Sequence, residues 1–538
     1  MPKHLSFSPR NSLWLVLLFV LLEPTGLASA DGILIEKTFI SKQPDNTYVY
    51  VDSAVSSSDM HHVAYVAASD KGMQVCFNEI CGKKYDHIAK GYPILSPTGN
   101  RVGFIADREN KHFVVINEQE YPGYDGACCL TFSPNGEYTA YIAQDNGKQL
   151  VVLNGRRMEP YDMIDRLIGV KFSPDSGKVA YVYKNTSEKS VRLTLNGKDS
   201  PSFDSIDEVL FSPDSKTIAY IVTKDKQQFV FRGDLQEGPF DKAEGLAWSP
   251  DSSQLAYIII KNGEFRVVNN GREHYAGDFS PQTVFFEQGG YATRVQQITP
   301  PIFSPDASLM AFTKTENDKF RIVVGETGGP LFDRVSPVVF SPDSRHHAHI
   351  GVSQMLNEKK MQVVYNQNRS PFYDEIDLPV FSPDSTRLAY RVRVGDKWFM
   401  IIDGKKQKSY DAIGIPCFSP DSGTLAYQAT EGNNVLMVTN GKEEPYQVRH
   451  PNAAPNMITR PCFSPDSRYL AYLVQTKPQE CLLVINGDII ESFDAAYSQT
   501  IDMPLVFDSE SKARFLAAFL KNDRYEAFRI DITIEPQQ

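Results

Sequence analysis

The stretch FSPDSTRLAYRV, Phe381 to Val392, decides how this chain of 538 residues is read. Its first letters make a turn with a mechanism: serine suits the first position, proline fixes φ at the second, and aspartate can hydrogen-bond the backbone at the bend. The letters after the turn, Leu388-Ala389-Tyr390, open an apolar strand. The same pattern recurs as FSPDSGKVAYVY from Phe172, FSPDSKTIAYIV from Phe211, WSPDSSQLAYII from Trp248 and FSPDSRYLAYLV from Phe463. Aligned on the aromatic, copies start near 56, 95, 132, 172, 211, 248, 303, 340, 381, 418, 463 and 507, mostly 37 to 41 residues apart. The outermost copies, SSSDMHHVAYVA from Ser56 and FDSESKARFLAAF from Phe507, are degenerate, as terminal repeats are.

Each copy continues with a second apolar stretch, a turn and a short aromatic element, as in WFMIIDGKKQKSYDAIG from Trp398 and LVVLNGRRMEPYDMI from Leu150. Asn154-Gly155 and Asp403-Gly404, set between β-rich runs, are hairpin signals. The unit therefore reads as strand, turn, strand, connector, strand, turn, strand, which takes roughly 40 residues. Repeated radially, such a unit is a propeller blade, so the expected fold is all-β, a β-propeller of about twelve four-stranded blades. One ring usually holds about four to eight blades. Two six-bladed propellers are accordingly expected, divided where the spacing jumps to 55 residues between Trp248 and Phe303. The expected domains are a signal peptide over 1–30, a first propeller over 31–285 and a second over 286–538, with a strand around Ile33 to Thr38 helping to close the first ring. Seven plus five, or one very large ring, are the other divisions the spacing allows.

FSPDS followed by LAY is similar to the TolB-type, WD40-like propeller repeats, which also occur in relatives of prolyl oligopeptidase. The resemblance spans roughly residues 45 to 535. It implies the propeller fold and an envelope scaffold or interaction role; for activity it is unspecific, because this repeat serves many functions. The amino-terminal α/β domain of TolB has no counterpart in the sequence. The hydrolase domain of the prolyl oligopeptidases would need a GxSxG elbow, and the nearest stretch, Gly351-Val-Ser353-Gln-Met355, lacks the second glycine and lies inside a repeat.

Lys3 and Arg10, the apolar run LWLVLLFVLL (Leu13 to Leu22) and LASA ending at Ala30 form the order of a cleaved secretory signal. No later run approaches the ~20 apolar residues of a membrane span. The expected location is periplasmic or secreted. The net charge is -11, and the leader carries Lys3, Arg10 and Glu23, a net +1, which leaves -12 on the remainder. So acidic a surface repels phosphate backbones and excludes nucleic acid, leaving a protein or a glycan as the expected partner. Of the seven cysteines, Cys76 and Cys81 could bridge a strand-turn-strand corner; Cys128 and Cys129 are adjacent, and Cys417 and Cys462 precede the aromatic of their repeats. No CxxC pair, Walker spacing, HExxH or EF-hand pattern is present. No cofactor is expected.

FSPDSRHHAHIGV, from Phe340, places His347 and His349 where the next repeat has Leu388 and Tyr390. Residues two apart in a strand share a face about 6.8 Å apart, close enough to hold one metal with a third ligand from elsewhere. These two are the metal candidates, weighed against packed strand histidines; His346 points to the other side, and His61-His62 lie similarly in the first repeat. Aromatic–Asp pairs recur at Tyr85-Asp86, Tyr124-Asp125, Tyr161-Asp162, Phe203-Asp204, Phe240-Asp241, Phe332-Asp333, Tyr373-Asp374, Tyr410-Asp411 and Phe493-Asp494. They read as a carboxylate ring or, structurally, as turn-capping aspartates beside packed aromatics. The irregular segments 270–302 and Arg449 to Pro461 break the repeat and are candidate carriers of function, weighed against a linker and an ordinary long loop. Asn185-Thr-Ser187 and Asn368-Arg-Ser370 match the glycosylation sequon.

The expected function is an exported, non-enzymatic propeller scaffold that binds a protein or other macromolecule. The alternative is a propeller-type polysaccharide lyase or glycosidase with a channel-centred metal and histidine site. That alternative follows the resemblance to oligogalacturonate lyases, whose sites use histidine and a metal. Ligand identity, oligomeric state and the binding face are not written in the sequence.

Overall fold

The computed structural model describes residues 27–29, 33–185, 190–278, 285–288, 291–294, 299–355, 358–447, 457–477, 480–493, 495–496, 505–521 and 524–535. The protein is all-β. Its strands form antiparallel sheets, of which twelve have four to six strands and one is the hairpin Phe285–Gln288 with Tyr291–Arg294. Blades 1 to 11 span 48–81, 87–120, 126–161, 163–199, 205–240, 242–278, 302–328, 334–369, 375–410, 412–447 and 462–493. Blade 12 joins strands from 495–534 to Ile33–Lys42. The segment Leu27–Ser29 of the expected signal peptide pairs with Ile33–Ile35, and the rest of that leader lies outside the described residues. No helix among the described residues is long and apolar enough to cross a membrane.

Within blades 1 to 11 the strands, a to d, pair in chain order, and in blade 12 Ile33–Lys42 takes the place of strand d. Strand b carries the apolar run after the turn and is buried on both faces, as in Leu425–Glu431. Strand d is the polar edge, as in Lys405–Tyr410, whose lysines are exposed. This gradient follows from the ring: the middle strands of one blade pack on the next, and the outer edge meets water.

A buried apolar cluster joins every blade to its successor. Val66 and Phe104 belong to the cluster between blades 1 and 2, Ala219 and Tyr257 to that between 5 and 6, and Ala389 and Tyr427 to that between 9 and 10. The series continues across the long insertion, where Ile258 and Val267 of blade 6 share a cluster with Phe303 and Phe312 of blade 7. It also closes: Ile40 and Leu516 of blade 12 share a cluster with Tyr65 and Cys76 of blade 1. The two-ring division expected near residue 285 has no counterpart in these contacts. Two rings would seat blade 6 on blade 1 and blade 12 on blade 7, and no cluster among the described residues joins either pair. The strand from Ile33 likewise does not close a first ring of six; it pairs with Arg524–Ile534, so the first and last strands of the repeat region meet in one blade.

The SPDS turn does more than turn the chain. In blade 4 the buried Ser173 hydroxyl donates to Asp175 Oδ1 (2.6 Å) and accepts the Lys178 N–H (2.9 Å), while Asp175 Oδ1 accepts the Gly177 N–H (2.9 Å). The second serine, Ser176, sits in the left-handed region at φ 64°. That conformation presents its hydroxyl to the preceding blade, where Oγ accepts the Asn135 N–H at 3.0 Å. The same bond runs from Asp175 to Ser215, Asp214 to Ser252, Asp306 to Ser344, Asp343 to Ser385, Asp384 to Ser422 and Asp421 to Ser467, at 2.9 to 3.0 Å. Between blades 6 and 7 the position is Ala307, also at positive φ (62°), and the contact is instead Gln254 Nε2 donating to the Ala307 carbonyl.

Ser385→Ala should lower the unfolding midpoint by an amount equivalent to about 1–2 kcal/mol, because it strands the Asp343 N–H between two blades. Ala307→Ser should raise it, since a hydroxyl there restores the missing acceptor for Asp251. Urea titration followed by tyrosine and tryptophan fluorescence measures both, and an unchanged midpoint in Ser385→Ala or a lowered one in Ala307→Ser would refute the bond's role.

Candidate functional site

Strand a is the interrupted strand of the blade. It is split in blades 2, 4, 8, 9, 10 and 12, where two short pieces pair with one strand b, and bulged in blades 1, 3, 5 and 6. Proline explains several interruptions. Pro93, Pro379 and Pro416 lie two residues before the last residue of strand a, where a missing N–H ends the ladder. Glycine explains others: Gly169 and Gly245 take φ of 65° and 69°, which a bulge requires. The residue two before the aromatic turns inward and is buried in every blade from 2 to 11, for example Leu130, Val209 and Val338.

In blades 2, 5 and 6 the residue before that one approaches the next blade. Glu208 of blade 5 accepts the Gly245 N–H (3.0 Å) and the Leu246 N–H (3.2 Å) of blade 6. A Cβ on Gly245 would in turn lie 3.5 Å from Pro300 of blade 7. Tyr92 of blade 2 accepts the Leu130 N–H of blade 3 through its hydroxyl (3.2 Å). These residues form a collar along the edge where successive blades converge. Burial raises the Glu208 carboxyl above its ordinary range, opposed by the two backbone donors.

The collar is not uniform. From blade 2 to blade 6 it carries Tyr92, Cys129, Gly169, Glu208 and Gly245, all at least partly covered. From blade 7 to blade 10 it carries Pro300, Pro337, Leu378 and Ile415, all exposed, with Leu378 at 51% and Ile415 at 43%. The exposed Arg460 of blade 11 follows. These water-exposed apolar residues occupy one repeat position in four consecutive blades and, among the described residues, are left uncovered. The prolines preceding CFSPD and VFSPD, which mark broken strands, are the sequence signal for this arc, and they lie upstream of the aromatic on which the repeat aligns.

The two irregular segments deliver chain to this collar. Residues 279–284, 289–290, 295–298 and 448–456 lie outside the described residues, while Thr299-Pro300-Pro301 and Met457–Pro461 enter strand a of blades 7 and 11. The Thr459 hydroxyl accepts the Leu473 N–H (2.9 Å), which fixes the approach to Arg460.

The recurrent Asp residues cap turns. Asp125, Asp204, Asp241, Asp374 and Asp411 each accept a backbone N–H from the turn between strands b and c, and Asp333 accepts that of Gln354 near the end of strand b, at 2.7 to 3.0 Å. Lysines of the preceding blade pair with several of them, including Lys111 with Asp125 (2.5 Å) and Lys360 with Asp374 (2.7 Å). Those lysines hold Asp125, Asp374 and Asp411 below the ordinary carboxylate range. The partner aromatics Tyr85, Tyr124, Phe332 and Phe493 are buried. A free carboxylate ring is therefore absent from these positions among the described residues.

His347 and His349 share a face of strand b in blade 8, as their spacing predicts, but the face looks into the seam with blade 7. Their neighbours Ala348 and Ile350 face blade 9. His349 is 1% exposed and lies near Gly329, whose Cβ position is 3.8 Å from its ring. Both ring nitrogens of His349 and Nδ1 of His347 lack hydrogen-bond partners. No group of three metal-ligating side chains occurs among the described residues. His346 is on the opposite face, where Nδ1 meets Asn366 Nδ2 at 3.2 Å and the ring stacks on Tyr365; His62 repeats this with Asn78 and Phe77. Cys76 and Cys81 are bonded. Cys417 and Cys462 are free thiols, each directed to the carbonyl of the following phenylalanine.

Comparison with known proteins yields no matching family model and no matching curated protein. Among solved structures, TolB from Acinetobacter baumannii is similar at 15% identity and a TM-score of 0.20, over 51% of this chain and 77% of that one. The dihydro-heme d1 dehydrogenase NirN, in complex with DHE, is similar at 14% identity and a TM-score of 0.25, over 58% and 72%. Likeness at this level assigns no activity; the strand order defines the propeller.

Burial lowers the His349 imidazole to about 3, helped by the neighbouring His347. The folded protein therefore keeps it neutral where the unfolded chain takes a proton near 6.5. Stability from this residue is complete above about pH 6.5 and is lost as pH falls toward 3, on the order of 2 kcal/mol at pH 5. His349→Tyr, the letter of most other repeats, should shrink the drop in Tm between pH 7 and pH 5; an unchanged drop would place acid sensitivity elsewhere.

Proposed function

We propose that the protein is an exported, non-enzymatic scaffold, a single ring of twelve blades whose collar holds an extended apolar segment of a protein partner. The observation that carries this reading is the exposed arc of Pro300, Pro337, Leu378 and Ile415. A repeat that serves packing alone keeps each position alike, whereas a binding surface breaks the symmetry. Four successive strand edges offering apolar side chains suit an extended chain that lies across them. The exposed Arg460 next to the arc supplies one charge that could fix its direction. Support for the single ring comes from the clusters that bridge blades 6 and 7 and blades 12 and 1.

Export is supported by the leader pattern of residues 1–30 and by the Cys76–Cys81 bond, which belongs to an oxidising compartment. The net charge of -11 favours a partner that is neutral or basic around its apolar segment. The lyase or glycosidase reading draws on His347 and His349, and their seat in a seam gives a polysaccharide no approach.

A photo-crosslinking residue at Ile415 should capture one discrete polypeptide from an envelope extract, and the same residue at Lys405, on the outer edge of blade 9, should capture none. Adding Leu378→Asp should weaken capture roughly tenfold or more, in line with about 1.5–3 kcal/mol for one buried leucine. Equal adducts from both positions, or turnover of a uronic-acid polysaccharide by the purified protein, would overturn the reading.

A further inference from the structure

Cys128 and Cys129 are adjacent on strand a of blade 3, and both are free and half-buried. Their Sγ atoms are 3.1 Å apart, about 1 Å beyond the ~2.05 Å of a disulfide bond. Neighbouring residues of a regular strand point to opposite faces, so this approach needs a cause. The cause is the bulge: pairing shifts register between Cys128 and Thr131, and Cys129 takes φ 61°.

At the equivalent position blades 4 and 6 carry Gly169 and Gly245, at φ 65° and 69°. A side chain in this region costs on the order of 1 kcal/mol, which glycine avoids. Blade 3 therefore carries a reactive side chain at a place where the fold itself favours none. It lies on the collar, beside Tyr92, and packs against the seam with blade 4. Burial pushes the Cys128 thiol up, the neighbouring Cys129 thiol adds to this, and the exposed Arg166 of blade 4 opposes it as a nearby positive charge.

We infer that Cys128 and Cys129 form a thiol-modification site, a vicinal dithiol that closes to a disulfide by exchange with a small disulfide such as oxidised glutathione. In the first step the Cys129 thiolate attacks one sulfur of the small disulfide and expels one thiolate, leaving a mixed disulfide on Cys129. The Cys128 thiolate then attacks that bond, forms the Cys128–Cys129 bond and expels the second thiolate. Two protein protons end on the two released thiols, and the small disulfide is reduced as the pair is oxidised. Closure ties the bulge into an eight-membered ring and removes both thiols from the collar.

The test uses the full folded chain, incubated with oxidised glutathione, alkylated, digested without reduction and analysed by mass spectrometry. The peptide holding Cys128 and Cys129 should be lighter by two hydrogens and unalkylated, and should take two alkyl groups after reduction. The reduced protein should also bind one equivalent of phenylarsine oxide. Cys129→Gly, which supplies the residue of blades 4 and 6, should retain the unfolding midpoint and lose both responses. Two alkyl groups on the pair after oxidation, a persistent glutathione adduct, or arsenical binding unchanged in Cys129→Gly would each overturn the inference.

Discussion

The structure depends on one hydrogen bond repeated between blades, from the N–H of the third turn residue to the hydroxyl of the second serine in the next blade. Seven described seams carry it. Each such bond contributes about 1 kcal/mol, less than the apolar clusters beside it. Its value is positional. Apolar faces slide at little cost, whereas a donor and an acceptor fixed in two rigid turns meet in one relative placement of the blades. The serine hydroxyl reaches its partner because the serine backbone is left-handed, so a small local strain sets the angle between sheets.

That device acts between neighbours only, which is why it cannot by itself count the blades. A ring of six and a ring of twelve need the same turn, the same buried Tyr on strand b and the same capping aspartate. In the single ring we propose, closure falls to the pairing of Ile33–Lys42 with Arg524–Ile534, nearly the whole chain apart. Closing so long a loop costs entropy that grows only with the logarithm of its length. An edge strand left open at either end would be a site for unwanted pairing, and the shared blade removes it.

The sequence is legible where chemistry is local. Pro174 and Asp175 declare a turn, Asn154-Gly155 declares a hairpin, and the aromatic–Asp pairs declare buried rings and capped turns, as found for Tyr124 and Asp125. Same-face placement of His347 and His349 follows from strand period alone. What the sequence conceals is the direction each face looks and the chain's closure. His349 could line a channel or a seam by its letters; only the packing of Ala348 and Ile350 toward blade 9 decides that it faces blade 7. The 55-residue gap before Phe303 resembles a domain boundary in one dimension, yet Phe303 and Ile258 share one apolar cluster. The collar is hard to read because it lies upstream of the recurring letters of each repeat, in strand segments that vary from blade to blade.

This variation has a physical origin. Strand b and the later half of strand c are covered on both faces and are held to apolar letters by packing density. The interrupted part of strand a makes few ladder bonds, so its residues are constrained by little except the bulge. Such positions accept proline, glycine, glutamate, cysteine or leucine without loss of the blade, as Pro300, Gly245, Glu208, Cys129 and Leu378 illustrate. A ring built this way separates two tasks along each repeat: the turn and the middle strands define the fold, and the broken inner strand is free to carry chemistry that differs from blade to blade. At the seam of His349 that separation fails, because polar letters have entered strand b itself, as Gln428 also does in blade 10, and the apolar cluster between blades 7 and 8 is the smallest described.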